Sequence, residues 1–281
     1  MALISSMLIF GTLGIFRRYI PLSSAVLAVF RGLLGSAFLL VFVFAKGSKL
    51  QRLERKTLLM LVLTGAVMGF NWMLLFEAYD YTTVATATMC YYMQPTIVIL
   101  LSPLVFHEKL GLKKLLCALA AIIGMLFVSG VLSSGVSQAQ DVRGILFGLG
   151  AAAFYSAVVI LNKKIEVDDV YEKSVIQLVS AAIVLLPYVL LTENVTSLAL
   201  SSSAVVMVLV VGLVHTGLAY ALYFGSMKKL NAQTIAVMSY IDPVSALLLS
   251  AAFLHERLSI LGIIGAVLIL GSALVSETAA E

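Results

Sequence analysis

The stretch YYMQPTIVILLSPLVFHEKL at residues 91–110 returns 148 positions later as SYIDPVSALLLSAAFLHERL at residues 239–258. Laid without a gap, residues 69–110 and 217–258 agree at Gly69/Gly217, Leu74/Leu222, Phe76/Phe224, Thr86/Thr234, Tyr92/Tyr240 and Pro95/Pro243. Agreement continues at Leu100/Leu248, Leu101/Leu249, Ser102/Ser250, His107/His255, Glu108/Glu256 and Leu110/Leu258. Apolar helices resemble one another by composition, which accounts for the leucines. Composition does not bring Pro, His and Glu into register, so the echo reads as an internal duplication. Any fold for this chain has to hold two copies of one unit.

The medium for that fold follows from how apolar the chain is. Hydrophobic residues make up 62% of its 281 residues and charged residues 11%, more apolar surface than a water-soluble fold of this size can cover. The expectation is an all-α integral membrane protein, with room at about 20 residues per span for about ten transmembrane helices. Breaks in hydrophobicity place the spans at 1–16, 22–45, 57–79, 82–105, 112–132, 143–162, 172–192, 203–226, 232–254 and 258–276. The Ser-, Gly- and Gln-rich break SSGVSQAQDV at 133–142 reads as a linker between a first five-helix repeat, 1–132, and a second, 143–276. Residues 277–281 are left as a cytoplasmic tail. An odd number of helices per repeat sends the second copy into the membrane from the opposite side, so the two five-helix repeats are expected to be inverted.

Charge agrees with this topology. With the amino terminus cytoplasmic, the inside connections hold thirteen Lys and Arg residues and the outside ones hold Arg17, Arg18, Arg143 and Arg257, with Arg31 left within span 2. That asymmetry puts both termini in the cytoplasm and the chain in a cell (inner, cytoplasmic) membrane. No cleavable signal segment is expected, since the first apolar run meets Arg17 and Arg18 instead of small residues. Cys90 and Cys117 lie inside apolar segments without disulfide or metal spacing. The net charge of +4 comes without the basic and aromatic interleaving that nucleic-acid binding requires, so no nucleic-acid partner is expected.

The two five-helix halves, Pro95 with Glu108, Asp242-Pro243 with Glu256, Arg31 in span 2 and the glycines Gly262, Gly265 and Gly271 in the last span resemble the drug/metabolite transporter superfamily, specifically the EamA-type family. The likeness covers nearly the whole chain. It implies a secondary carrier with inverted repeats around a central cavity, walled by helices 1, 3, 4, 6, 8 and 9, with helices 5 and 10 peripheral. Family members move amino acids, other metabolites, sugars, amines or toxic organic compounds, often outward.

Asp242 is the strongest candidate for chemistry. A carboxylate near the middle of a span costs several kcal/mol unless paired, hydrated or protonated. Protonated, it would carry a proton; ionised, it would balance a substrate amine. Its positional counterpart is Gln94. Pro95 and Pro243 cannot donate to their helices and are candidate gating kinks. Arg31 and Glu77 are candidates for an ion pair, with a carboxylate clamp as the alternative role for Arg31. His215 is a candidate proton relay to Asp242. Trp72, Phe76 and Tyr79 share one face of span 3, and Tyr220 answers Trp72 in span 8; with Tyr92 and Tyr240 they are candidates for an aromatic box around the solute. Asn71 and Asn162 add polar contacts, to solute or between helices. Neither His-Glu pair continues to a second histidine, because residues 111 and 259 are Gly and Ser, so no metal is expected.

The function expected is secondary transport of a small amphiphilic metabolite, an amino acid or related compound, outward by alternating access. No phosphate-binding loop GxxxxGK[ST] is present. No cofactor is expected; the partners are a small-molecule substrate, the lipid bilayer and candidate coupling protons, in a monomer or homodimer. The alternative within the class is uptake of an organic cation such as a quaternary amine. The alternatives of another class are an intramembrane enzyme or a lipid-linked flippase. A hydrolase would need paired aspartates, metal ligands or a Ser-His dyad, and a single mid-span Asp does not supply them, so the chain is not expected to be an enzyme.

Overall fold

A backbone in lipid must satisfy its own N–H and C=O groups, because lipid offers no partner, and an apolar chain meets that demand with helices. The computed structural model describes residues 1–47, 53–107, 111–128, 139–167, 169–193, 201–227, 230, 238–256 and 259–278, and the regular structure among them is entirely helical. α1 (Ala2–Arg18), α2 (Ser24–Ala45) and α3 (Arg55–Tyr81) precede a broken span of α4 (Val84–Tyr91) and α5 (Gln94–Phe106), then α6 (Leu112–Val128). Beyond these come α7 (Ala139–Lys163) and α8 (Val170–Thr192). A composite span follows, made of α9 (Ser202–Leu209), a π-helix (Val210–Leu218) and α10 (Ala219–Met227), and then α11 (Ile241–Phe253) and α12 (Ile260–Thr278).

Among the described residues, six spans are long and apolar enough to cross a bilayer: Ser24–Ala45, Arg55–Tyr81, Val84–Val105, Val142–Lys163, Val170–Thr192 and Ser202–Ser226. Ile241–Phe253 and Ile260–Ser276 are shorter apolar helices. Most of the expected linker at 133–142 lies outside the described residues, and α7 already begins within it, at Ala139.

Local chemistry sets the helix ends. Ser23, Thr83 and Ser201 each turn a side-chain oxygen back to accept from an N–H three residues on, at Val26, Thr86 and Ala204. Asp169 does the same for Tyr171 at 2.8 Å. These caps take up donors that the first helical turn leaves without partners. Serines inside the spans spend their hydroxyls on carbonyls one turn back, as Ser156 does on Ala152 at 2.8 Å, which keeps them from being stranded in an apolar medium.

Pro95 and Pro243 interrupt their spans outright instead of bending continuous helices. Each sits in the first turn of a new helix, α5 or α11, where a missing N–H costs nothing. At the far end of each helix the echoed sequence shows again: His107 and His255, paired by the sequence alignment, both adopt left-handed backbone, with φ of 56° and 55°. At the second, the turn lets the Glu256 N–H return to the Ser250 carbonyl at 3.3 Å. Glu108, the counterpart of Glu256, lies outside the described residues.

Helices in lipid have no hydrophobic drive to associate and rely on close van der Waals approach through small residues. α3 runs against α7 and α8, α2 against α8 and the π-helix, α1 against α11 and α10, α4 against α7 and α11, and α6 against α12. The α6/α12 contact turns on Gly124 and Gly265: a Cβ on either would come within 2.7 Å or 2.4 Å of the other's carbonyl oxygen. The remaining faces of this pair carry exposed Leu116, Leu119, Ile123, Ile263 and Val267, the surface that acyl chains would cover.

That approach is specific enough to test. Gly265→Ala forces the two backbones apart and is expected to cost about 1–3 kcal/mol, the usual range for overpacking. It should read as a lower apparent melting temperature of the detergent-solubilised protein. An unchanged melting temperature would show that α6 and α12 do not approach through this pair.

Candidate functional site

The helices enclose a cavity of about 460 Å³. Its lining is rich in rings: Phe10 and Trp72 with six tyrosines, at positions 79, 91, 92, 155, 220 and 223, together with Phe224. Tyr91 stacks on Tyr155 at 5.2 Å and an interplanar angle of 11°, and Tyr220 meets Phe10 and Phe224 edge to face at 5.8 and 5.6 Å. Lining residues also come from α2 and α8, through Arg31 and Lys173, so the wall extends beyond the six helices that the family resemblance implies.

Arg31 is buried, 4% exposed, and its guanidinium lies 4.3 Å from the Trp72 ring centre and 5.8 Å from that of Phe76. Its Nε donates to the Thr216 hydroxyl at 2.8 Å. Thr216 stands on the π-helix, where the widened turn lets its hydroxyl donate five residues back to the Val211 carbonyl at 3.1 Å and keep a lone pair for Arg31. No sequence signal marked that π stretch. Such stretches recur at functional sites because they displace side chains from the regular helical positions.

The expected Arg31–Glu77 ion pair is not formed. Glu77 directly follows Phe76, about a turn and a half beyond Trp72, toward the end of α3 where Arg17 and Asp80 pair. Arg31 is held by a hydroxyl and two rings instead. Beyond Nε, its guanidinium takes no protein acceptor among the described residues, and Arg31 lines the cavity. A desolvated cation over an aromatic face gains about 2 kcal/mol or more, less than the several kcal/mol that burying an ion costs. An anion arriving in the cavity would make up the difference.

Asp242 also lines the cavity, and its Oδ2 accepts from the Tyr92 hydroxyl at 2.8 Å. The bond joins α11 to the break between α4 and α5, so the echoed segments meet through a pair that differs between them. Asn71 lines the cavity and donates to the Ala151 carbonyl at 2.6 Å. Asn162 lines it and accepts from Gln177 at 2.8 Å. Tyr79, Trp72, Tyr92 and Tyr220 are lining residues as well. Phe76 is fully buried against Arg31 and lies outside the lining.

His215, Gln94 and Tyr240 lie outside the lining. The His215 Nε2 shares a hydrogen bond with Thr12 at 2.7 Å, its Nδ1 lies 3.3 Å from the Val210 carbonyl, and its ring packs edge-on to Phe16 at 4.8 Å. It is tied into the α1/π-helix contact and does not meet Asp242. The Gln94 carbonyl accepts from Ser156 at 3.1 Å. Sequence reading also passed over Tyr91, Tyr155, Gln177 and Lys173. Lys173 donates to the Asn162 and Ile165 carbonyls at 3.2 and 3.3 Å, closing the carboxyl end of α7 and setting a cation at that end of the cavity. Among the described residues no cluster of His, Cys, Asp and Glu could hold a metal ion.

At the opposite end a polar seal joins α1, α3, α4 and α11. Arg17 pairs with Asp80 and donates to the Ile20 carbonyl at 3.0 Å. Arg18 donates to the Thr82 carbonyl at 2.6 Å and to Glu256 at 3.3 Å. Glu256 in turn accepts from the N–H groups of Val84 and Ala85 at 3.1 and 3.3 Å. The glutamate of the second His-Glu pair therefore caps α4, a helix of the first half packed against α11, where its charge suits the positive end of that helix.

Removing the Glu256 charge should loosen the seal. With Cys90 and Cys117 replaced by Ala, the maleimide labelling rate of Thr82→Cys, a position 8% exposed, is expected to rise about tenfold when Glu256→Gln is added. That rise corresponds to losing one charge-assisted hydrogen bond. An unchanged labelling rate would show that Glu256 does not hold this end shut.

The comparisons with known proteins agree with this architecture. A solved crystal structure superposes with a TM-score of 0.69 at 20% identity, covering 99% of this chain and 97% of that one, which shows a shared fold. "Uncharacterized transporter YxxF" of Bacillus subtilis (strain 168) is 29% identical over 95% of this chain and 85% of its own length. "Uncharacterized inner membrane transporter YicL" of Salmonella typhimurium is 25% identical over 95% of this chain and 90% of its own. The sequence matches the pattern of the EamA-like transporter family over residues 1–130 and 142–278, and with six helices among the described residues that suit a bilayer, the chain belongs to that family of membrane transporters.

Proposed function

We propose that this protein is a secondary carrier for a small zwitterionic amphiphile, an amino acid with an aromatic or large apolar side chain or a close relative, working by alternating access. One observation carries the reading: a guanidinium with donors to spare and a carboxylate line the same ring-walled cavity. Arg31 would take the solute's carboxylate, Asp242 its ammonium, and the tyrosines with Trp72 its side chain. A solute with both charges neutralises both buried ions at once, which a purely apolar or singly charged one cannot do.

Ten spans in two inverted five-helix repeats, 1–132 and 143–276, form the frame for this mechanism. Two features support it. The contacts α3/α7 and α1/α10 exchange when each helix is replaced by its counterpart in the other half, as do α1/α11 and α4/α7. His107 and His255 share one unusual backbone conformation. The breaks at Pro95 and Pro243 then serve as hinges. The basic-residue asymmetry places both termini in the cytoplasm, so the Arg18–Glu256 seal would face outside and Lys173 inside. Protons, carried on Asp242, are the proposed coupling ion, and export from the cell the proposed direction.

An organic cation is the second reading, favoured by the Asp242–Tyr92 pair beside the Tyr91 and Tyr155 rings. Arg31 argues against it, because a buried cation repels another.

Trp72 is the chain's single tryptophan and stacks on Arg31, so its fluorescence reports occupancy of the cavity. Phenylalanine should quench it. Arg31→Lys should weaken phenylalanine and phenylpropionate about tenfold or more while sparing phenethylamine, since lysine does not reproduce a stacked, forked donor. Asp242→Asn should weaken phenylalanine and phenethylamine and spare phenylpropionate. Counterflow of labelled phenylalanine in proteoliposomes, with no chemical change, should fall with both variants. Binding of phenethylamine as tight as that of phenylalanine and indifferent to Arg31→Lys would instead establish the cation reading.

A further inference from the structure

Thr88 differs from the other buried hydroxyls of the spans. Ser6, Thr64 and Ser102 each donate to a carbonyl one turn back along their own helices, the usual way to satisfy a hydroxyl inside an apolar segment. Thr88, 4% exposed in the last turn of α4, makes no such bond, and its Oγ1 is buried without a hydrogen bond of regular geometry among the described residues. A polar atom stranded in this way calls for a reason. Thr88 lines the central cavity, and its polar neighbour there is the Tyr79 hydroxyl, which lies within electrostatic reach of both Arg31 and Asp242. The duplicated frame does not require this hydroxyl, since the sequence echo sets Ala236 against Thr88.

The carboxyl end of α4 adds an acceptor beside it. α4 ends at Tyr91, and Tyr91 and Tyr92 both line the cavity. A helical carbonyl at position 91 would accept from the N–H of residue 95, but Pro95 has none, and no other backbone N–H takes its place among the described residues. Such a helix end inside a membrane carries negative partial charge and suits a cation. Asp242 joins this end through the Tyr92 hydroxyl, from which its Oδ2 accepts at 2.8 Å. We propose that Thr88 Oγ1, the Tyr91 carbonyl and the Asp242 carboxylate together take the three N–H groups of the solute's ammonium, so that the carrier selects primary amines and turns away N-methylated ones. This assignment rests on the zwitterion reading above and adds to it the degree of substitution at nitrogen. A quaternary ammonium has no N–H to give and would leave all of these acceptors bare.

Trp72 fluorescence titration of the full-length protein in detergent tests the assignment, with phenylalanine, N-methylphenylalanine, N,N-dimethylphenylalanine and phenylpropionate as the probes. Each N-methyl group should weaken binding about tenfold or more, the effect of one lost hydrogen bond to a charged group. Thr88→Val keeps the side-chain shape and removes the hydroxyl. It should weaken phenylalanine about tenfold, leave phenylpropionate unchanged, and shrink the preference for phenylalanine over N-methylphenylalanine to about twofold or less, because the methylated ligand already lacks the N–H in question. Thr88→Ser should restore the preference. A merely structural role would weaken every probe alike. The assignment is overturned by equal affinity for phenylalanine and its N,N-dimethyl derivative in the unsubstituted protein, a result that needs no variant to fold, or by a Thr88→Val protein that keeps the full preference. Either outcome leaves the carrier reading standing, because phenylalanine still binds. Failure of phenylalanine to quench Trp72 at all would overturn the carrier reading and this assignment with it.

Discussion

The buried guanidinium of Arg31 constrains more of this structure than any other group. A charge removed from water must recover several kcal/mol from its surroundings, and here three elements converge to supply that. α3 provides the faces of Trp72 and Phe76, the π-helix provides the Thr216 hydroxyl, and α2 holds the residue 4% exposed. None of the three is complete alone. An α-helical register at 210–218 would send Thr216 elsewhere, and without Trp72 the cation would keep only the more distant Phe76 ring. The incompleteness of that solvation is what gives the cavity its chemistry, because the donors left over face the space where a solute would sit.

Much of the site was legible in the sequence for the same reason that it is expensive. Charged residues inside apolar spans stand out, so Arg31 and Asp242 could be singled out before any contact was known, and the aromatic face of Trp72 and Tyr79 followed from helical spacing. Partners were not legible in the same way. Arg31 invited pairing with the nearest carboxylate by depth, Glu77, yet the cation found rings and a hydroxyl, an outcome that depends on where α2 crosses α3 and the π-helix. His215 looked like a relay because it shares a span with lining residues; its side chain points into the α1 contact with Thr12 and Phe16. The π stretch has no compositional mark, since its residues are those of any apolar helix. Lys173 carries no site signal in the sequence, since its role at the end of α7 comes from a turn geometry that hydropathy does not encode.

The echoed segments show how duplication and specialisation coexist. Pro95 and Pro243, and His107 and His255, keep the same backbone solutions in both copies, because a helix break and a left-handed turn are needed wherever the unit occurs. Side chains at the centre are free of that demand. Gln94 and Asp242 hold equivalent positions, but Asp242 lines the cavity and bonds Tyr92, whereas Gln94 is held through its carbonyl to Ser156. A carrier built from two like halves still needs one binding site with a defined orientation. Differences at equivalent positions are how a pseudo-symmetric frame obtains it.

The strength of the seal at Glu256 bears on whether such a frame can move. Its ion pair with Arg18 is partly exposed, with side chains 31% and 11% accessible, and a pair so placed contributes about 0–1 kcal/mol. The two amide bonds to Val84 and Ala85 add roughly 1.5–3 kcal/mol each as charge-assisted contacts. The Glu256 contacts are then worth about 3–7 kcal/mol, the lower end of which is the range in which a minor state stays populated. A ligand shifts such an equilibrium only by the difference between its affinities for the two states. On the proposed carrier mechanism, a solute that neutralises Arg31 and Asp242 together in one state supplies such a difference. A much stronger seal would lock the carrier shut, and a much weaker one would leave both ends open at once and let the solute gradient leak away.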